Sequence, residues 1–441
     1  MPTPATSTPV SSVRTLSRPL THSGGTTMKK AFLLLAALSL TGAASAATTI
    51  NYATWDGTRQ KADEALIAAF NKSHPDIVVK YNLVPWGVYW QKAAAMVAGG
   101  STYDVMWMNL DNFPFYQSQG ALAPIKLDTK TTAELPKVRT APYQVDNQLY
   151  GVPLGPQPVT VYINRALFKE RGVPIPTASW TFDQMVAAAK KLTFTKDGKQ
   201  IYGINGADLQ SDLEYGMSFY YGAGGTGLIK KTGNSYTASL DATFAKTSQK
   251  LLDLIYKDKV APGPQAASQQ GYQMFLAGQM GILVQGSWMV STWDQNKDLD
   301  WAFAPFPSVD GKQPRPVVSA HALVIPTGSK NKEAAQTLIT WMNTSPQANR
   351  LLAQDGLLPT LAENYKSQYL QALPGRNAQT VFAQLPNSVV INASLRNVKV
   401  LPEVLTVLSQ KMNLAWTGNA KLPDAIKQAT GEMDTLLKTA K

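Results

Sequence analysis

The chain has no cysteine among its 441 residues. That excludes disulfides, thiol nucleophiles, cysteine metal sites and a lipid-modified cysteine at a processed N-terminus. Long apolar runs are also missing. Ala31–Leu40 is too short to cross a bilayer as a helix, and nothing after it approaches the roughly 18 uninterrupted apolar residues of a span. Histidine is scarce, with three residues in all; only His74 and His321 lie beyond the first few dozen positions. No G-x-S-x-G elbow is present, so a serine hydrolase of that type has no nucleophile setting. Basic residues outnumber acidic ones, 41 to 29, for a formal net charge of +12. Yet the lysines are dispersed, and the longest basic runs are pairs such as Lys190-Lys191 and Lys230-Lys231. Without a basic stripe or an arginine-rich motif, no nucleic-acid partner is expected.

What is there begins with a leader. Met28 is followed by Lys29 and Lys30, the apolar run Ala31–Leu40, and the small triplet Ala44-Ser45-Ala46. A positive start, a short apolar stretch and an A-x-A site make a secretory signal peptide. Residues 1–27, rich in Ser, Thr and Pro, read as an extension outside the fold. Residues 1–46 are therefore set apart as leader and signal peptide. With no cysteine to lipidate, the expected product is a free exported protein in the periplasm or a similar extracytoplasmic space. About 400 residues remain, too many for one small core, which points to two lobes.

Along that stretch the pattern alternates between strand and helix. Thr48–Thr54 reads as a strand running into Trp55-Asp56-Gly57. Ala62, Ala65, Leu66, Ala69 and Phe70 recur with helical spacing, and Ser73-His74-Pro75-Asp76 stops the helix. Strand Ile77–Tyr81, helix Tyr89–Ala98 and strand Asp104–Met108 follow. Further on come strand Val159–Asn164 and helix Phe182–Leu192, where Thr181 and Gln184 fit a capping box. Then come helix Ala245–Tyr256, strand Gly281–Val284 and one strand over Val317–Pro326. Helices Lys332–Met342, Pro402–Trp416 and Asp424–Lys438 close the chain. Strands alternating with helices predict an α/β fold with parallel sheets and helices on their faces.

In such sheets ligands sit beyond the carboxyl ends of the strands. The loops leaving those ends carry Trp55-Asp56, Pro85-Trp86, Asn109–Asp111 and Gly286-Ser287-Trp288. A pyranose has apolar C–H faces and a rim of hydroxyls. Indoles cover the faces, while carboxylates and amides serve the rim. Several tryptophans at the mouths of separate strands therefore point to a sugar site, although any one of them alone reads as core.

The chain resembles the extracellular sugar-binding proteins of ATP-driven importers, of the maltose-binding type (family 1). The resemblance is carried by Tyr162-Ile163-Asn164-Arg165 with Leu167-Phe168 and Gly172-Val173, running into Trp180-Thr181-Phe182-Asp183. It continues in Phe275-Leu276-Ala277-Gly278-Gln279-Met280-Gly281 leading to Gly286-Ser287-Trp288, and in Ser329-Lys330-Asn331-Lys332-Glu333 with Gly356-Leu357-Leu358-Pro359 beyond. Order and spacing hold from about Thr49 to Leu437. The resemblance implies a two-lobed periplasmic-binding-protein fold (type II, Venus-flytrap), each lobe a mainly parallel sheet flanked by helices. Lobe I would comprise 47–153 plus 320–365, and lobe II 154–319 plus 366–441. The crossings would lie near Val152-Pro153-Leu154, Val317-Val318-Ser319 and Tyr365–Leu370. It also implies that Trp288 stacks on the sugar from the second lobe, opposite Trp55, Asp56, Trp86, Asn109 and Asp111, with Gln157, Glu214, Tyr221 and His321 as wall residues. The family's maltose-binding kind has arginine at the position of Asn112 and an aromatic at that of Met108; these departures bear on which sugar is bound.

The expected partners are a sugar and the permease subunits of an importer, with the protein a monomer that needs no cofactor or metal. Rival readings stay open at this level. Asp56 and Asp111 could serve as the carboxylate pair of a glycoside hydrolase. A binding protein for an iron complex, polyamine or peptide is another; Tyr220-Tyr221 invites the ferric version, but neighbours on a strand face opposite ways. The G-x-G-x-x-G match at Gly222–Gly227 opens no convincing helix and is read as a decoy.

Overall fold

The computed structural model describes residues 46–439, apart from 99–102, 136–139, 178, 207–208, 210–212, 265–270, 361, 392–394 and 396–397. The signal peptide expected at 28–46 lies outside the described residues except at its last position. From Ala47 onward the chain forms one compact unit.

That unit has two α/β lobes, each built on its own sheet. The first sheet runs Ile77–Leu83, Thr48–Thr54, Val105–Met108, Ala322–Pro326, Leu122–Ala123, with Gly151–Pro153 also paired to Ala322–Pro326. The second runs Val389–Val390, Val317–Ser319, Gln157–Asn164, Met280–Gly286, Lys199–Ile204, Phe194–Lys196, with Trp301–Ala304 also on Gln157–Asn164. Most strands in each sheet point the same way. Ala322–Pro326 runs against all its partners in the first sheet, and Gln157–Asn164 against all its partners in the second. Each reversed strand directly follows a crossing from the other sheet. A chain that leaves one sheet at its carboxyl edge, and enters the next at the edge facing it, must then run away from that edge. The reversals therefore mark where the two carboxyl edges meet.

The period of two decides which side chains face which layer. In Gln157–Asn164, Val159, Val161 and Ile163 join one buried cluster while Tyr162 points into another. The first sheet behaves alike. Ile50, Tyr52, Val105, Trp107, Leu323 and Ile325 face one core, and Ala53, Met106, Met108, Ala322 and Val324 the other. Both faces of both sheets are covered, which is why these strands read as continuous apolar runs.

Local signals hold where the chemistry is local. Helix Phe182–Leu192 starts with a complete capping box: the Thr181 hydroxyl accepts from the Gln184 N–H at 3.1 Å, and the Gln184 side chain accepts from the Thr181 N–H at 2.8 Å. Helix Pro346–Gln354 is capped by Ser345 with proline at its first position. Three expectations are corrected. The single strand over Val317–Pro326 is two strands, Val317–Ser319 and Ala322–Pro326, in different sheets; an apolar run carries no mark of where it changes partners. Tyr220 and Tyr221 lie on the helix Leu213–Gly222, not on a strand. The helix Gln60–Ser73 buries Asp63, Leu66 and Phe70, while Ala65 is exposed. Its inward stripe is thus turned from the one that alanines and leucine alone predict. The Gly222–Gly227 segment leads into the hairpin Ile229–Thr232/Ser235–Ala238, so it opens no helix.

Candidate functional site

The carboxyl edge of the first sheet is a wall of rings. Thr54 ends its strand buried, and Trp55 follows, half-buried. Its indole meets Trp86 at 5.2 Å, Tyr89 at 5.0 Å, Trp90 at 5.5 Å, Trp107 at 5.2 Å and His321 at 5.1 Å between centroids. Most of these contacts are edge-to-face, the arrangement the ring quadrupole favours, each worth about 0.5–1.5 kcal/mol beyond area burial. Trp86 starts the helix Trp86–Ala98 and is 51% exposed, the outermost ring of the group. Behind the wall, Tyr89 Oη donates to the Trp107 carbonyl at 2.9 Å, and Trp107 Nε1 donates to Tyr52 Oη at 2.5 Å.

The polar groups on this edge are partly spent on the loops themselves. Asp56 Oδ1 accepts from the Thr58 N–H at 3.0 Å and its hydroxyl at 2.6 Å, capping the 3-10 turn Gly57–Arg59. Asn109 Oδ1 accepts from the Asn112 N–H at 3.1 Å and its Nδ2 at 2.9 Å. Asp111 sits in the same turn, and its charge adds to the burial that holds the Tyr143 hydroxyl well above the usual phenol range. Tyr143 Oη donates to the carbonyls of Met108 and Ala320, tying this turn to the crossing.

The facing edge of the second sheet is chiefly polar. Gln157 begins its strand buried, paired in register with Ser319. The Ser319 hydroxyl donates to Glu214 Oε2 at 2.5 Å. Buried Asn205 locks Met280–Gly286 from the side, donating to the Val284 carbonyl at 3.0 Å and accepting from its N–H at 2.9 Å. At the end of that strand comes Trp288, half-buried, whose ring packs against three core clusters, one of the first sheet and two of the second.

Ala320-His321 joins the two edges. His321 gives its carbonyl to the Leu154 N–H at 2.8 Å, so two crossings are hydrogen-bonded side by side. Its ring lies on Trp55 and tilts toward Trp107 at 6.0 Å. Burial, with Arg59 adding to it, pushes the imidazole down to about 4, so it is neutral at physiological pH. Its Nδ1 is buried with no hydrogen-bond partner among the described residues. Gly155, just past Leu154, lies against Leu358: a Cβ there would stand 1.4 Å from the Leu358 carbonyl oxygen, so only glycine fits.

Of the ten residues expected at the site, Trp55 meets both Trp86 and His321 directly. Gln157 and Glu214 are joined through Ser319. Asp56, Asn109 and Asp111 lie in the loops of the first edge, and Trp288 lies where both lobes reach it. Tyr221 is not brought to the group. It is packed in the second lobe's core beside Tyr220, seven residues along the helix from Glu214, and burial pushes its hydroxyl up to about 12. Sequence reasoning missed Trp90, Trp107 and Arg59. Trp90 was within reach, being one helical turn from Trp86 and so on the same face. Among the described residues no three His, Asp or Glu are grouped to hold a metal ion, and no helix is long and apolar enough to cross a membrane.

Comparison with known proteins bears on the family and the fold. The family model described as bacterial extracellular solute-binding protein matches residues 54–349. The chain is 26% identical over 370 residues to the mannitol-binding protein of Pseudomonas aeruginosa, covering 78% of this chain and 81% of that one. It is 22% identical over 421 residues to the galactooligosaccharide-binding protein of Bacillus subtilis, covering 90% and 94%. An ABC substrate-binding protein of Listeria monocytogenes, solved in complex with cycloalternan, superposes with a TM-score of 0.79 at 23% identity, over 89% of this chain and 99% of that one. That likeness shows the two-lobed fold.

Proposed function

Because the chain belongs to the bacterial extracellular solute-binding proteins, we propose that it takes a sugar between its two lobes and delivers it to the permease of an ATP-driven importer. It works by binding and not as an enzyme, as its family does. The observation that carries the reading is the position of Trp288. Its indole leaves the second sheet's carboxyl edge and packs against cores of both lobes, while the first sheet's edge presents the Trp55 wall. Rings from one side, with Gln157 and Glu214 from the other, suit the flat faces and hydroxyl rim of a carbohydrate. The orphaned Nδ1 of His321 is a further group for a ligand hydroxyl. The relatives named for mannitol and galactooligosaccharide support a polyhydroxylated ligand.

The lobes are proposed as 47–153 plus 320 onward, and 154–319 plus the C-terminal part. The last boundary is set at Leu357-Leu358, upstream of the 365–370 segment the resemblance implies. Leu357 packs into the first lobe's core, and Leu358 and Tyr369 pack with the second lobe. A sugar would shift the population toward the closed form, reached by hinge motion about these crossings, by its greater affinity for that form. We read Met28–Ala46 as a cleaved signal peptide, the product as a free extracytoplasmic protein without a lipid anchor, and its working state as a monomer.

The test is a melting screen against monosaccharides, oligosaccharides and polyols. A true ligand raises the melting temperature by mass action, and the radius of gyration falls when it is added. If only polyamines, peptides or iron complexes stabilise the protein, the sugar reading is wrong.

A further inference from the structure

Directly after the Trp55-Asp56 loop, Arg59 turns into the protein and is 2% exposed. Its Nη2 donates to Asp63 Oδ1 at 2.8 Å, and its Nε lies 3.9 Å from Asp355 Oδ2. Its Cζ stands 5.3 Å from the centre of the Trp107 ring, the ring that backs Trp55. Three charges buried this deeply cost several kcal/mol each in lost hydration, and a well-packed apolar trio is often as stable or more so. Stability alone does not account for them.

Asp355 also looks the other way. It ends the helix Pro346–Gln354 and precedes Gly356, whose φ is +80°. A Cβ on Gly356 would lie 2.2 Å from Val290 Cβ. Val290 opens the short helix Val290–Trp293, two residues after Trp288. The next residue, Ser291, has a hydroxyl whose pull lowers the Asp355 carboxyl, although neither Ser291 Oγ nor Asp355 Oδ2 makes a hydrogen bond of normal geometry among the described residues. One buried cluster thus touches the back of the Trp55 wall and the underside of the segment that carries Trp288.

We propose that Arg59 and Asp355 are a positioning pair for the binding site, coupling the Trp107–Trp55 wall to the Trp288 segment so that the charge on Asp355 moves both together. The electrostatics supply the trigger. Burial raises the Asp355 carboxyl to about 6, outweighing the pull of Arg59. The other charges facing it, Asp63 and Asp56, share its sign and add to the rise, and Ser291 contributes only a hydroxyl. Below about pH 6 the Asp355 carboxyl is neutral, so Arg59 loses that charge from its side and the ring above the guanidinium faces a changed field; Asp63, whose carboxyl burial also raises, stays hydrogen-bonded to Arg59. His321 lies against the same wall but is held at about 4, outside this window.

The inference uses the sugar reading only to say what is positioned, and its test needs no sugar. Indole N–H resonances of the ligand-free protein, assigned by Trp→Phe variants, are followed by NMR from pH 8 to pH 5. Trp107, Trp55 and Trp288 should shift with one common midpoint near 6, while Trp180, hydrogen-bonded to the Pro305 carbonyl in the second lobe, stays still. Asp355→Asn should abolish the shift, and Asp355→Glu should move its midpoint. The pair is not a coupling device if the three indoles do not titrate together, or if they do so equally in Asp355→Asn. An unmoved midpoint in Asp355→Glu also overturns it. A sugar screen that fails leaves these outcomes untouched, so the two ideas fall separately.

Discussion

The two carboxyl edges that meet at the crossings are made of different chemistry. On the first lobe, five rings crowd around Trp55 and hold one another in place. On the second, Gln157, Ser319, Glu214 and Asn205 form hydrogen bonds and strand pairs beside a single indole, Trp288. The difference teaches a division of labour. Aromatic surface gives affinity without much angular demand, whereas buried amides and carboxylates reject a ligand that leaves them unpaired. On the proposed sugar reading, the first edge would serve as a platform and the second would tell one sugar from another.

The strongest way to break this contrast is to empty the wall from behind. Trp107→Ala should cost about 3–5 kcal/mol of folding stability, read by urea denaturation, because the ring is fully buried and supports both Trp55 and His321. Gln157→Ala, on the polar edge, should cost clearly less; equal losses would erase the distinction.

A second prediction concerns pH. The folded-state pKa of His321 is depressed from 6.5 to about 4. Its contribution to stability is therefore complete above pH 6.5 and is lost as pH falls toward 4, by up to about 3 kcal/mol. In His321→Asn the decline over that window should be shallower, as measured by melting temperature against pH. Parallel curves would show that the ring is not held neutral by the wall.

Trp288→Ala should weaken sugar binding at least about tenfold, or about 1.4 kcal/mol, by calorimetry with the ligand the melting screen selects. Unchanged affinity would remove Trp288 from the site. The smallest effect sharpens the picture at its rim. Trp86→Ala should cost about 1 kcal/mol of stability, far less than Trp107→Ala, since the ring is half in solvent and keeps only its edge contacts with Trp55 and Trp90, while still lowering affinity measurably. A large stability loss there would mean the outer ring is structural.

Much of the fold was legible because its signals are local. The Thr181 box, the helix Phe182–Leu192 and the strands Thr48–Thr54 and Ile77–Leu83 follow from cap chemistry and periodicity over a few residues. The candidate site was legible in part for the same reason: Trp55, Trp86, Asn109 and Trp288 each follow or adjoin a strand end that the pattern marks. Tyr221 could be read either way, because tyrosine suits a cleft wall and a core equally; the structure packs it in the second lobe's core. Arg59 and Asp63 were invisible because charged residues on a helix are read as a solvated face, and nothing nearby announces Asp355 almost three hundred positions away.

By itself, then, the sequence settled the alternation of strands and helices, the tryptophan-bearing loop tips and the absence of any cysteine chemistry. Those depend on residue type and short spacing. The tertiary structure alone decided where Val317–Pro326 divides between two sheets, which rings surround Trp55, and which charges are buried together. The reason is physical: hydrogen-bond partners across a sheet and the cost of removing a charge from water are fixed by neighbours in space, and those neighbours come from segments far apart along the chain.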